Sequence, residues 1–212
     1  NQITNVVFMG MGEPLLNYDA VLESAKIMKD PHSYGLSRKR ITISTSGIVP
    51  NILKLSQDID VSLAISLHAS DDILRDEIVP INKKYPIKAL LDACKEYLSS
   101  FKNKKTITME YILIDGINDS IEHAKQLAIL LSDISCKINL IPFNKFKGTT
   151  YKRPSNNKMS IFKKYLMDKG FITTLRITRG DSVAAACGQL VGDLSNTVKG
   201  KNLIKHRSIN ER

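Results

Sequence analysis

The sequence predicts an α/β fold with a mainly parallel sheet, because strand-like and helical patterns alternate along the chain. Six short apolar runs, several with β-branched residues, have the length of buried strands. This alternation is compatible with either a (β/α) barrel or a doubly wound sheet. The predicted strands are residues 5–9, 40–45, 60–67, 106–114, 136–141 and 172–177.

Helices are predicted between the strands where apolar residues recur every three or four positions. From Ile87 onward the apolar residues fall on one helical face. The Asp119-x-x-Glu122 pattern resembles a capping box at the start of a second helix. A third helix has the same spacing, and Gly170 is well placed to end it. Its apolar positions are Met159, Phe162 and Leu166.

The chain of 212 residues fits one domain, for which we predict a core at residues 1–190 and a basic tail at residues 191–212. Residues 3–9 already resemble a core strand, so we expect the chain to begin partway through a larger fold. We find no secretory leader pattern and no apolar run long enough to cross a bilayer. We therefore expect no membrane partner and a cytoplasmic location.

The three cysteines, Cys94, Cys136 and Cys187, are widely separated and odd in number. They do not form a disulfide framework, and no pair has the spacing of metal ligands. A reducing compartment is the simpler interpretation. Cys94 lies on the apolar face of its predicted helix and Cys136 opens a strand, so both are expected to be structural.

The formal net charge is +10, from 31 Lys and Arg against 21 Asp and Glu. One interpretation is a well-solvated basic enzyme. The other is a polyanionic partner such as RNA, because phosphates release counterions to clustered basic side chains. Clusters occur at residues 38–40, 102–105, 145–153 and 199–207.

Small or polar residues follow most of the predicted strands directly. Ligands of parallel α/β folds bind at the carboxyl ends of the strands, so we expect these residues to meet in one site. The segments are Gly10-Met-Gly12-Glu13-Pro14, Ser44-Thr-Ser-Gly47, Ser66-Leu-His68 and Pro142-Phe-Asn144.

Each of these segments also has a plain structural interpretation. Gly12 and Glu13 could let an ammonium group approach, or could form an ordinary turn without the lysine of a phosphate loop. Ser44 could bind a ligand's ribose or carboxylate, while its segment could cap a helix. His68 could titrate at the site or be a satisfied structural residue. Asn144 could bind an adenine edge or simply make a turn.

Cys187 lies among small residues in the segment Ala185-Ala-Cys-Gly-Gln-Leu190. A thiol with small neighbours is sterically open, as a nucleophile must be, and the nearby Arg179 could lower its pKa. The alternative is a small buried apolar residue.

The chain resembles the RlmN/Cfr-type radical S-adenosylmethionine RNA methyltransferases over nearly all of residues 3–195. The resemblance rests on an ordered set of long strings. They are Val7-Phe-Met-Gly-Met-Gly-Glu-Pro-Leu-Leu-Asn17, Ile43-Ser-Thr-Ser-Gly47, Leu63-Ala-Ile-Ser-Leu-His-Ala69, Arg75-Asp-Glu-Ile-Val-Pro-Ile-Asn-Lys84, Glu110-Tyr111, Lys137-Ile-Asn-Leu-Ile-Pro142, Asn144, Arg179-Gly-Asp181 and Ala185-Ala-Cys-Gly-Gln-Leu190.

The resemblance implies a partial (β/α)6-type radical SAM (TIM-like) barrel that lacks its first strand. It implies S-adenosyl-L-methionine and a [4Fe-4S] cluster as cofactors, with the cluster cysteines outside this chain and no metal ligand within it. Cys187 would be the catalytic cysteine that becomes S-methylated. The cofactor-binding residues would be Gly12, Glu13, Ser44, Ser66, Leu67, His68 and Asn144.

The implied function is methylation of C2 of an adenine in 23S rRNA, and in tRNA, through the S-methylcysteine, with an electron donor reducing the cluster. We expect this fragment alone to be inactive. Three alternatives stay open: the same chemistry at C8 (Cfr-type), a non-catalytic RNA-binding module, and a metabolic barrel acting on a phosphorylated substrate. The absence of an obvious phosphate loop counts against the last.

Overall fold

The computed structural model describes residues 3–102, 105–145 and 148–176. Cys187 and the tail predicted at residues 191–212 lie outside the described residues.

Six parallel strands form one sheet in the order of the sequence, β1-β2-β3-β4-β5-β6. Each predicted strand is confirmed, with boundaries that differ from the prediction by two residues at most; residue 177, the predicted end of the last strand, lies outside the described residues. The strands are β1 (Val6–Phe8), β2 (Ile41–Thr45), β3 (Ser62–Ser66), β4 (Ile107–Leu113), β5 (Cys136–Pro142) and β6 (Ile172–Leu175).

Helices connect the strands at every crossover. The α-helices are α1 (Tyr18–Lys29), α2 (Val49–Asp58), α3 (Asp72–Ile78), α4 (Ile87–Ser99), α5 (Ile121–Leu130) and α6 (Asn156–Asp168). Three short 3-10 turns precede or follow them, at Pro14–Asn17, Arg38–Arg40 and Pro80–Lys83.

The strand order decides between the two folds that the sequence left open. Parallel strands are joined by right-handed crossovers, so a sheet whose order never reverses has all its helices on one face. A doubly wound sheet would need a reversal. The described strands therefore form a TIM-like partial barrel, which is not closed because β1 and β6 are its edges.

The hydrophobic core lies between the sheet and the helices. In β4, Met109, Tyr111 and Leu113 are buried on the helical face, and the Tyr111 ring lies 5.6 Å from that of Phe162 in α6. The predicted apolar face of α4 is buried in the same cluster, including Cys94, which is fully enclosed. Cys94 is therefore a core residue, as predicted.

The capping box predicted at Asp119 is wrong. Ser120 is the N-cap of α5, and its side chain accepts from the His123 amide. Asp119 is occupied elsewhere, since it accepts from the Gly116 amide and the Lys158 ammonium. The prediction at Gly170 is confirmed, because this glycine follows α6 with φ of 89°.

The helix-capping interpretation of residues 44–47 is also wrong. Ile48 is the N-cap of α2 and makes no side-chain capping bond. The Thr45 hydroxyl instead accepts from the Gly47 amide within the turn. Among the described residues, no helix is long and apolar enough to span a membrane.

Candidate cofactor-binding site

The polar residues that follow the strands lie along the carboxyl edge of the sheet, as the sequence predicted. Parallel pairing places Ser66 beside Glu110 and Glu110 beside Asn139 on neighbouring strands. Their side chains lie on the face opposite the helices, because residues at alternate positions point to opposite faces of a strand. The face of the sheet opposite the helices thus carries a polar row next to the strand ends.

Glu13 joins the ends of β1 and β2. Its Oε2 accepts from the Ser46 amide and hydroxyl, both at 2.7 Å, and its Oε1 accepts from the Leu15 amide at 3.0 Å. The preceding Gly12 has φ of 84°, a conformation that favours glycine, and a Cβ there would meet no atom within 4 Å. A ligand can therefore approach the backbone next to a fixed carboxylate.

Glu110 is the most buried acid of the site, with 5% of its surface exposed. Its Oε2 accepts from the Ser44 hydroxyl at 3.2 Å and from the Ser66 hydroxyl at 3.5 Å. Burial raises the pKa of this carboxyl, while Ser44, Asn139 and Ser66 act in the opposite direction. Glu110 thus links three neighbouring strands through their side chains.

His68 has a left-handed backbone, with φ of 62°, which is uncommon for a residue other than glycine. The Asn118 side chain stabilises this turn by donating to the His68 carbonyl at 3.0 Å and to the Ile112 carbonyl at 2.7 Å. The Ile112 amide donates to His68 Nδ1 at 3.2 Å. Since Nδ1 is an acceptor, the neutral ring carries its proton on Nε2.

Burial and then the Arg75 charge lower the pKa of His68 to about 4. We therefore expect the ring to stay neutral from pH 6 to pH 8. Ring-proton chemical shifts in NMR spectra, assigned with His68→Gln, should be flat across that range. A sigmoidal titration with a midpoint near the ordinary value of about 6.5 would contradict this expectation.

The lowered pKa of His68 also makes the free energy of unfolding decrease as the pH falls. Its pKa is lower in the folded protein, so the unfolded chain binds more protons between about pH 6.5 and pH 4. The contribution of neutral His68 to the free energy of unfolding is fully present above about pH 6.5 and is lost as the pH falls from about 6.5 to about 4.

Arg75 was missed as a separate site residue in the sequence, and the structure shows why it matters. It is fully buried, and it donates to the carbonyls of Ser46 at 2.7 Å, Ser66 at 3.1 Å and Leu67 at 3.0 Å. A fourth bond reaches Asn82 Oδ1 at 2.8 Å. One side chain therefore fixes the turns after both β2 and β3. An arginine inside a helical segment gives no sequence signal for this role.

The remaining predicted residues differ in what they can offer a ligand. The Leu67 side chain is fully buried in the core, and its carbonyl accepts from Arg75. Asn144 is half-buried just beyond β5. Among the described residues, no group of three or more His, Cys, Asp or Glu could hold a metal ion.

The site fits a ligand that donates hydrogen bonds. The carboxylate of Glu13 and the hydroxyls of Ser44 and Ser66 lie along the strand ends, and neutral His68 adds one ring donor. S-adenosylmethionine has an ammonium group and two ribose hydroxyls, so its donors match these acceptors. The described residues offer no comparable set for an iron–sulfur cluster.

The chain is similar to curated proteins and to solved structures. Two proteins named "Dual-specificity RNA methyltransferase RlmN" are similar to the chain. The one from Marinomonas sp. is 53% identical over 98% of the chain, and the one from Psychrobacter arcticus is 52% identical over 94% of it. The chain spans about half of their length, 56% and 49%. The resemblance found in the sequence is thereby confirmed.

A crystal structure of a radical SAM methyltransferase from Sphaerobacter thermophilus matches 89% of the chain and 55% of its own length, with a TM-score of 0.84 and 42% identity. A domain of pyruvate-formate lyase-activating enzyme from Bacteroides vulgatus matches 82% of the chain and 99% of its own length, with a TM-score of 0.61; its 20% identity supports the fold alone. The family model described as the Radical SAM superfamily matches residues 1–128. The chain therefore belongs to the radical SAM superfamily.

Proposed function

We propose that the protein methylates C2 of an adenine in 23S rRNA and in tRNA, through an S-methylcysteine at Cys187. The observation that carries this proposal is the 53% identity, over 98% of the chain, to a protein named as a dual-specificity RNA methyltransferase. The strand-end residues suit the cofactor of such an enzyme, and the net charge of +10 suits a polyanionic substrate. The cytoplasm is the compartment that we propose.

In this proposal the chain's residues bind and orient S-adenosylmethionine at the carboxyl edge of the sheet. Glu13 and the backbone at Gly12 accept the ammonium group, and Ser44, Ser66 and His68 contact the rest of the molecule. Asn144, beyond the end of β5, contacts the adenine edge. Leu67 contributes through the backbone, because its side chain is in the core.

A [4Fe-4S] cluster, bound by cysteines outside this chain and reduced by an electron donor, would supply a 5′-deoxyadenosyl radical from the bound cofactor. The cysteine at position 187 would carry the methyl group to the RNA. This division follows from the chemistry of the substrate, because C2 of adenine is not nucleophilic and direct transfer from a sulfonium would be slow. Tethering the methyl group to the protein raises its effective concentration at the base.

The proposal is tested with the complete protein, purified without oxygen, reduced, and supplied with S-adenosylmethionine and unmodified 23S rRNA or tRNA. We expect 2-methyladenosine in both RNAs by mass spectrometry of the digested nucleosides.

Two outcomes would replace the proposal. Formation of 8-methyladenosine would assign the protein to C8 chemistry. Salt-sensitive RNA binding without any methylated product would favour a non-catalytic RNA-binding module. Methylation of only one of the two RNA classes would contradict the proposed dual specificity but not the proposed reaction.

A further inference from the structure

Glu110 is not among the residues proposed above to contact the cofactor, yet it accepts hydrogen bonds from two of them, Ser44 and Ser66. It lies on the face of β4 opposite the helices, paired with Ser66 on one side and with Asn139 on the other. Only 5% of its surface is exposed. In the part of the chain that the structure describes, it forms no salt bridge, and the charge of Arg176 acts to lower its pKa. Burying a carboxyl group costs free energy unless it is well hydrogen-bonded, so the hydrogen-bond partners of Glu110 matter.

Both serine hydroxyls converge on one oxygen of this carboxyl. Ser44 Oγ lies 3.2 Å and Ser66 Oγ 3.5 Å from Glu110 Oε2. A hydroxyl has a single proton and two lone pairs. Because each serine donates its proton to Glu110, only its lone pairs remain for another partner.

We propose that Glu110 is a positioning residue of the cofactor site, which takes the hydroxyl protons of Ser44 and Ser66 and thereby presents both serines to the ligand as hydrogen-bond acceptors. This inference rests on the proposed function, in which the two serines contact S-adenosylmethionine. Glu110 itself acts through the serines and not on the reacting atoms.

Because Ser44 and Ser66 can only accept hydrogen bonds from a ligand, they determine which part of the ligand can lie beside them. A ligand carboxylate has acceptors only, so it would find no donor in these serines. Ribose hydroxyls and an ammonium group are donors and match the two acceptors. Of the ribose and carboxylate contacts that the sequence allowed for Ser44, the structure thus favours the ribose.

The experiment measures binding of S-adenosylhomocysteine, which cannot transfer a methyl group, to the complete protein by isothermal titration calorimetry. Glu110→Gln keeps the shape but can donate to the serines, and Glu110→Asp keeps the charge but moves it away from them. We expect each variant to weaken binding roughly tenfold, the loss of about two ordinary hydrogen bonds. Glu96→Gln, on the exposed side of α4, is the matched control and should bind like the unmodified protein.

A double-mutant cycle separates positioning from a general structural role. In a background of Ser44→Ala and Ser66→Ala, Glu110→Gln should change the affinity less than about twofold, because no hydroxyl remains to be oriented. An undiminished loss in that background would overturn the proposal, as would unaltered binding by the Glu110 variants. Failure of both Glu110 variants to fold, seen as a lost thermal transition, would also overturn it by assigning Glu110 to the scaffold. Absence of binding by the unmodified protein would instead contradict the proposed function.

Discussion

Replacing Cys187 with alanine should abolish methyl transfer, with a loss on the order of 10⁴-fold or more in rate. Alanine has no thiolate to accept a methyl group, and the poorly nucleophilic C2 of adenine cannot replace it. Two measurements follow the variant: S-methylcysteine in the peptide that contains position 187, and 2-methyladenosine in the RNA. Both should fall below detection by mass spectrometry.

Cys136→Ala provides the matched control, because Cys136 opens β5 and lies far along the chain from position 187. This control should retain both products. Methylated RNA at the unmodified rate from Cys187→Ala would show that the methyl group takes another route. Methylated RNA without S-methylcysteine in the unmodified protein would lead to the same conclusion.

Arg75→Met should lower the free energy of unfolding by about 3–5 kcal/mol, because methionine fills similar space but donates no hydrogen bond. The carbonyls of Ser46, Ser66 and Leu67 would remain buried without their donor. Burial lowers the pKa of Arg75 to about 10, so the side chain that is lost is charged at neutral pH. Urea unfolding of the complete protein, followed by circular dichroism, measures the change.

Lys88→Met is the control for removing a positive charge from the surface. Lys88 pairs with Asp92 at 2.8 Å, but both side chains are exposed, so we expect a change within about 0.5 kcal/mol. A loss below about 1 kcal/mol for Arg75→Met would mean that the two turns are held by other contacts.

The sheet and its site edge could be predicted from the sequence because they depend on local patterns. The strands of three to seven residues are rich in apolar and β-branched residues, and polar residues at their ends mark the carboxyl edge. Ser44, Ser66 and His68 were found in this way, and the structure brings Ser44 and Ser66 together on Glu110. The choice between a barrel and a doubly wound sheet depended on strand order, which no local pattern encodes.

Contacts between residues far apart in the sequence could not be predicted from local patterns. Asn118 contacts the His68 carbonyl across 50 positions, and Glu110 contacts Ser44 across 66. The N-cap at Ser120 was missed because its neighbour Asp119 matches the capping pattern, and only tertiary and turn contacts of Asp119, with Lys158 and Gly116, distinguish the two. The role of Cys187 stays a prediction from its sequence and from the resemblance.

The turns at the carboxyl edge of the sheet are held by buried side chains of the chain itself. Arg75 fixes the backbone after β2 and β3, and Asn118 fixes the turn at His68. Ordering a loop upon association costs conformational entropy, so a preformed edge spares the incoming molecule that penalty. Association with this edge should accordingly be governed by contacts and desolvation, with little backbone rearrangement.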